Sequence, residues 1–192
     1  MSLPRLILAS ASPRRAELLR QLQLEFHVVA SEAAELHGEH LTATEISQVN
    51  AYRKARAVAK KFPDALVIGA DTLVYRVTQL FGKPADLAGA QRMLTQLQGR
   101  THQVITGVCL IHLRNHRQKV FAVSTDVTFR SLNAGQIRDY LGRISPLDKA
   151  GAYAIQEHGD LIVKKISGSF SNVMGLPIER VREELARWER GS

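Results

Sequence analysis

One cysteine is all that this chain of 192 residues carries. Cys109 has no second thiol to pair with, so an internal disulfide and a zinc centre built on several cysteines are both excluded. It lies in the apolar run Val108-Cys109-Leu110-Ile111, which suits a buried, inert thiol better than a nucleophile. The seven histidines show no His-Glu-x-x-His spacing, so a histidine-based metal centre finds no support. Aromatic residues make up only 6% of the chain, and none is interleaved with a basic run as single-strand binders require. No stretch nears the roughly 20 apolar residues of a membrane span, which argues against a membrane partner. The first apolar run, Leu6-Ile7-Leu8-Ala9, is shorter than the about 7–15 residues of a secretory signal core, so a cytoplasmic location is the default expectation. A Gly-x-x-x-x-Gly-Lys-Ser phosphate loop, internal repeats, low-complexity tracts and Gly/Ser/Pro-rich linkers are absent too.

What is present is an ordinary globular composition, 45% hydrophobic and 23% charged. The length suits one sizeable domain or two small lobes sharing a cleft. The formal charge of +8 favours anionic partners without separating nucleic acid from a small phosphorylated ligand.

Apolar runs alternate with helical patterns, which predicts an α/β fold. Leu6–Ala9 reads as a buried strand, and Pro13 starts a helix running to Leu22. Thr42-x-x-Glu45 is a capping box behind Leu41, predicting a helix from about Ala43 to Lys61. Ala65–Gly69 reads as a central strand ending at Ala70-Asp71-Thr72. Asp86 caps a helix with the stripe Leu87, Ala90, Met93, Leu94 and Leu97, stopped by Gly99. His102–Leu113 and Gln118–Phe129 form an antiparallel pair turning near Asn115. Asn133-x-x-Gln136 opens a short helix bearing Ile137, Tyr140 and Leu141, with Gly142 as its stop. Leu161–Ile166 reads as a strand, and Pro177 starts a last helix with the stripe Ile178, Val181, Leu185 and Trp188.

Four segments can carry chemistry. In Ser10-Ala11-Ser12-Pro13-Arg14-Arg15, small residues join a strand to a helix start, with hydroxyls and guanidinium forks suited to a phosphate chain. The plainer alternative is a serine cap followed by two solvated arginines. Asp71 stands just past a buried strand, where α/β folds place ligand chemistry; it can take a proton from water, hold Mg²⁺, or simply cap its own turn. Lys83, between Gly82 and Pro84, reaches phosphate as a point charge or stays solvated. Gln156 ends an apolar run and offers both donor and acceptor to a uracil or thymine edge, or is an exposed strand-end amide.

Taken together, these segments resemble the Maf family of nucleotide pyrophosphatases from Leu6 to about Pro177. The likeness rests on Leu8-Ala9-Ser10-x-Ser12-Pro13-Arg14-Arg15-x-Glu17-Leu18-Leu19, Lys54-Ala55, Gly69-Ala70-Asp71-Thr72 and Gly82-Lys83-Pro84. It continues through Gly99-x-x-His102-x-Val104-x-Thr106-Gly107, Asp148-Lys149-Ala150-Gly151-x-Tyr153-x-Ile155-Gln156 and Gly168-Ser169-Phe170-x-Asn172-Val173-x-Gly175-Leu176-Pro177. The joint order and spacing, rather than any one motif, are specific.

The resemblance implies an α/β fold with a mixed central sheet flanked by helices and two lobes around a substrate cleft, Maf- or inosine-triphosphatase-like, as one domain over residues 1–192. It implies hydrolysis of nucleoside triphosphates to monophosphate and pyrophosphate with a divalent cation, Mg²⁺ or Mn²⁺. Asp71 would be the proton acceptor, Ser10, Arg15, Lys54 and Lys83 would hold phosphates, and Glu35 would join Asp71 at the metal. Arg14, Thr72 and Gln156 are similar to the branch acting on dTTP and UTP; a tryptophan, the mark of the 7-methyl-GTP branch, is not at position 14. Ala34, Arg53 and Glu157 depart from the family's frequent acidic residue, glutamate and glycine. A homodimer is the expected assembly. The rival readings are a house-cleaning enzyme for modified pyrimidine nucleotides and, from another class, a basic nucleic-acid-binding module without catalysis.

Overall fold

The computed structural model describes residues 3–36 and 40–190. In chain order the elements begin β1 (Leu6–Ala9), α1 (Pro13–Arg20), β2 (Phe26–Val28), α2 (Ala43–Ala59), β3 (Leu66–Arg76) and β4 (Gln79–Phe81). They continue α3 (Leu87–Leu97), β5 (Thr101–His112), β6 (Arg117–Phe129), α4 (Ala134–Leu141), α5 (Gly159–Ile162), β7 (Val163–Ser167), α6 (Phe170–Met174) and α7 (Ile178–Glu189). Parallel and antiparallel pairs both occur and helices flank the strands, so the fold is α/β with a mixed sheet.

Two compact units divide the chain. The first holds residues up to Asp71, Thr106–Val123 and the chain from Gly175 on; the second holds Thr72–Ile105 and Ser124–Met174. In the first unit the strands follow the order β2-β1-β3-β5-β6. β1 runs parallel to β2 and to β3, with Leu6 opposite Leu66 and Ala9 opposite Gly69. β1 therefore ends level with Gly69, and Ser10 leaves the sheet beside the Ala70–Asp71 stretch of β3, which continues past it. Burial on both faces explains why β1 and the start of β3 read as unbroken apolar runs rather than alternating ones.

α2 begins at the predicted capping box: Thr42 Oγ1 accepts from the Glu45 amide at 3.2 Å, and Glu45 Oε2 accepts from the Thr42 amide at 2.8 Å. Its inward stripe is made of small residues, Ala51, Ala55 and Ala59 with Val58, packed on Ile7, Ala9, Val67, Cys109 and Ile111. Small residues let the helix lie close, and two glycines let it lie closer. A Cβ on Gly69 would stand 2.4 Å from the Ala51 carbonyl oxygen, and one on Gly107 would stand 2.3 Å from the Ser47 carbonyl. Cys109 is buried in this core, and burial pushes its thiol up to about 12, as expected for an inert residue. α7 buries Ile178, Val181, Leu185 and Trp188, the expected stripe, and also Glu184, which takes Arg180 and Arg187 at 2.7 Å each.

The second unit has its own core of Val74, Phe81, Leu94, Leu97, Phe129, Tyr140 and Tyr153. β4 pairs antiparallel with the end of β3, and β7 with the end of β6. Three local expectations are revised here. β3 does not end at Thr72 but runs to Arg76, because β4 folds back to pair with Val74–Arg76. Leu161 and Ile162 belong to the helical turn α5, and the strand starts at Val163. Leu87 opens α3 but is 60% exposed, so the buried stripe of that helix begins at Ala90.

Gly69→Ala is expected to destabilise the protein by about 1–3 kcal/mol in denaturant unfolding, since the added methyl meets helix backbone that cannot rotate away. Gly82→Ala is the control, because nothing lies within 4 Å of its Cβ position, and it should change stability by less than about 0.5 kcal/mol.

Candidate active site

The close approach of α2 sets Asn50 and Lys54, one helical turn apart, against the middle of β3. There they meet Asp71, whose residue is only 4% exposed. Lys54 Nζ donates to Asp71 Oδ1 at 2.6 Å and to Glu35 Oε1 at 2.7 Å, so one ammonium bridges two carboxylates. The second Asp71 oxygen, Oδ2, accepts from Asn50 Nδ2 at 3.1 Å. Asn50 is itself buried and also holds the main chain of Leu36: its Oδ1 accepts from the Leu36 amide at 2.7 Å, and its Nδ2 donates to the Leu36 carbonyl at 3.2 Å.

Arg15 approaches the same stretch of β3 from α1. Its Nη1 donates to the Ala70 carbonyl at 2.9 Å and lies 3.5 Å from Ser10 Oγ, while Nε donates to the Gly175 carbonyl at 2.8 Å. Burial lowers the Arg15 pKa, the Asp71 carboxylate raises it, and neighbouring Arg14 lowers it again. A guanidinium keeps its proton through such changes. Ser10 is buried, and its Oγ also accepts from the Ser12 amide at 3.1 Å. Ser12 precedes α1 without making a side-chain cap, so the plain serine-cap alternative does not hold.

Five of the expected residues, Ser10, Arg15, Glu35, Lys54 and Asp71, thus belong to one bonded cluster in the first unit, with Arg14 beside Arg15 on α1. Asn50 is the member that motif reading passes over. Its sequence signal is an amide on the buried face of α2, one turn before a motif lysine. Among the described residues no group of three or more His, Cys, Asp or Glu side chains is placed to hold a metal. The two carboxylates on Lys54 are nonetheless hard oxygen donors facing one cation. Such a pair fits Mg²⁺ or Mn²⁺, which need few protein carboxylates and fill their shell with water and phosphate oxygens.

The Maf-like protein family model matches residues 5–188. The chain belongs to the Maf family. It is 48% identical over 182 residues to a dTTP/UTP pyrophosphatase of Moorella thermoacetica, covering 95% of this chain and 94% of that one. It is 46% identical over 181 residues to a protein of the same name from Bacillus velezensis, covering 94% and 95%. A third of that name, from Pelotomaculum thermopropionicum, is 43% identical over 183 residues.

Thr72, Lys83 and Gln156, the other expected site residues, lie in the second unit. Thr72 is half-buried on β3, and Lys83 is exposed in the connection from β4 to α3. Gln156 is exposed in a turn rather than ending a strand, and its Nε2 donates to Glu157 Oε1 at 3.3 Å. Lys149 is buried and donates to the Ser145 carbonyl at 2.7 Å and to Asp148 at 2.9 Å. Several Maf positions prove to be framework. His102 is buried, its Nε2 lies 2.9 Å from the Tyr153 hydroxyl, and burial lowers its pKa to about 4, so it is neutral near pH 7. Asn172 Nδ2 donates to the Val104 carbonyl at 2.9 Å and to Thr125 Oγ1 at 3.0 Å. Gly168, at φ +130, passes so close to Thr125 that a Cβ would lie 2.8 Å from its hydroxyl.

Lys54→Met in chelating buffer leaves a buried carboxylate without its cation and should cost about 3–5 kcal/mol of stability. Adding Asp71→Asn should recover at least about 1 kcal/mol of that loss in a double-mutant cycle. Strict additivity would contradict the pairing.

Proposed function

We propose that this protein hydrolyses nucleoside triphosphates, dTTP and UTP foremost, to the monophosphate and pyrophosphate. The observation that carries the reading is the bridged pair Glu35–Lys54–Asp71, placed beside Ser10 and Arg15 where β1 ends against β3. Near-full-length likeness to proteins named dTTP/UTP pyrophosphatase supports the choice of nucleotide.

Asp71 acts as proton acceptor. A carboxylate has about four lone-pair sites, and Lys54 and Asn50 engage one on each oxygen, leaving acceptor capacity for a water proton. The water oxygen then bonds to the α phosphorus as the bond from that phosphorus to the bridging oxygen breaks. The electron pair of that bond leaves with pyrophosphate. Ser10, Arg15, Lys54 and Lys83 hold phosphate oxygens and offset the charge that gathers as pyrophosphate departs. Glu35 and Asp71 would hold the divalent cation, Mg²⁺ or Mn²⁺, which when bound neutralises phosphate charge. Arg14, Thr72 and Gln156 read the pyrimidine, and an arginine at position 14 lacks the flat face that a methylated, cationic purine stacks on. No helix among the described residues is long and apolar enough to cross a membrane, and a free nucleotide requires none.

Asp71→Asn is expected to lower pyrophosphate release from dTTP and UTP by about 10²–10⁴-fold while nucleotide binding persists. Near-normal turnover in that variant would contradict the role of Asp71. A wild-type panel led by a nucleotide other than dTTP or UTP would overturn the pocket assignment and leave the bond cleaved unchanged.

A further inference from the structure

The cluster contains a residue that no motif calls for and whose bonds span it. Asn50 is 1% exposed and makes three hydrogen bonds, one to Asp71 and two to the main chain of Leu36. Leu36 directly follows Glu35, the other carboxylate on Lys54. Two bridges therefore connect β3 at Asp71 to the Glu35 segment. One is ionic, through Lys54. The other is a neutral amide anchored four residues earlier on the same helix. The Leu36 segment has no regular secondary structure of its own, so the amide supplies the main-chain bonding that a strand partner would otherwise give.

The ionic bridge alone does not fix a geometry. The Glu35 side chain is 40% exposed, and a lysine ammonium accepts carboxylates from many directions. Asn50 removes that freedom. Its carboxamide is planar; the carbonyl end holds the Leu36 amide, and the amino end holds both the Leu36 carbonyl and Asp71 Oδ2. The orientation of the amide is set by its partners, since a carboxylate can only accept and a main-chain N–H can only donate.

We infer that Asn50 is a positioning residue, which pins the main chain beside Glu35 onto β3 at Asp71 so that the two carboxylates face one cation in a fixed geometry. This rests on the proposed function for its consequence in catalysis. Its role is exerted through Asp71 and Glu35 rather than on the nucleotide itself.

The test uses Asn50→Leu, similar in volume and unable to hydrogen bond, and Asn50→Asp, which keeps an acceptor for the Leu36 amide and loses the donor to Asp71. Thermal unfolding checks that each variant is folded at the assay temperature. In Asn50→Leu, kcat for UTP is expected to fall about 10–100-fold, the usual effect of losing a partner that orients metal-site carboxylates, with KM for the nucleotide within about twofold. Electron paramagnetic resonance titration with Mn²⁺, without nucleotide, should show affinity weakened by a similar factor in Asn50→Leu. Hydrogen exchange at the Leu36 amide should accelerate in Asn50→Leu and stay slow in Asn50→Asp.

A folded Asn50→Leu with wild-type kcat and wild-type Mn²⁺ affinity would overturn the inference. Unchanged exchange at Leu36 in that variant would overturn it whatever the activity. A wild-type protein without turnover would instead defeat the proposed function, while the Leu36 exchange still decides the role of Asn50.

Discussion

A carboxylate taken out of water has to be matched oxygen by oxygen, and Asp71 imposes that demand on its surroundings. One helix meets it. Asn50 and Lys54 share a face of α2, and each takes one Asp71 oxygen. They reach the strand only because α2 lies against Gly69 and Gly107, where any side chain would collide with helix backbone. The packing of a small-residue helix and the neutralising of a buried charge are therefore one constraint. Arg15 secures the same stretch of β3 through the Ala70 carbonyl, and through the Gly175 carbonyl it ties in the chain that leads into α7.

That arrangement is also what phosphoryl chemistry needs. Anionic and cationic groups are already fixed in place, so little reorganisation remains when a charged transition state forms. The family motifs divide by role when seen this way. Those ending at Ser10, Arg15, Lys54 and Asp71 form the charged cluster of the first unit. Those carrying His102, Tyr153 and Asn172 hold the second unit through buried, neutral hydrogen bonds.

Local signals made much of the fold readable before any coordinates. The capping boxes at Thr42 and Asn133, the Asp86 cap and the stripe of α7 are short-range features, and each opens or lines the expected helix. β2 and β4 are three residues each, too short to show periodicity, and exist because a neighbouring strand offers them a ladder. Site residues with motif context, Ser10, Arg15, Lys54 and Asp71, were readable as a set. The carbonyl-clamping work of Arg15 was not, because its partners lie 55 and 160 residues away in sequence. Asn50 escaped for the same reason, with partners 14 and 21 residues away.

The proposed reaction joins the water oxygen to the α phosphorus, and isotope tracing reads which phosphorus receives it. UTP turned over to completion in ¹⁸O-enriched water should yield label in UMP and none in pyrophosphate. Label in pyrophosphate instead, or release of orthophosphate as the first product, would contradict the account.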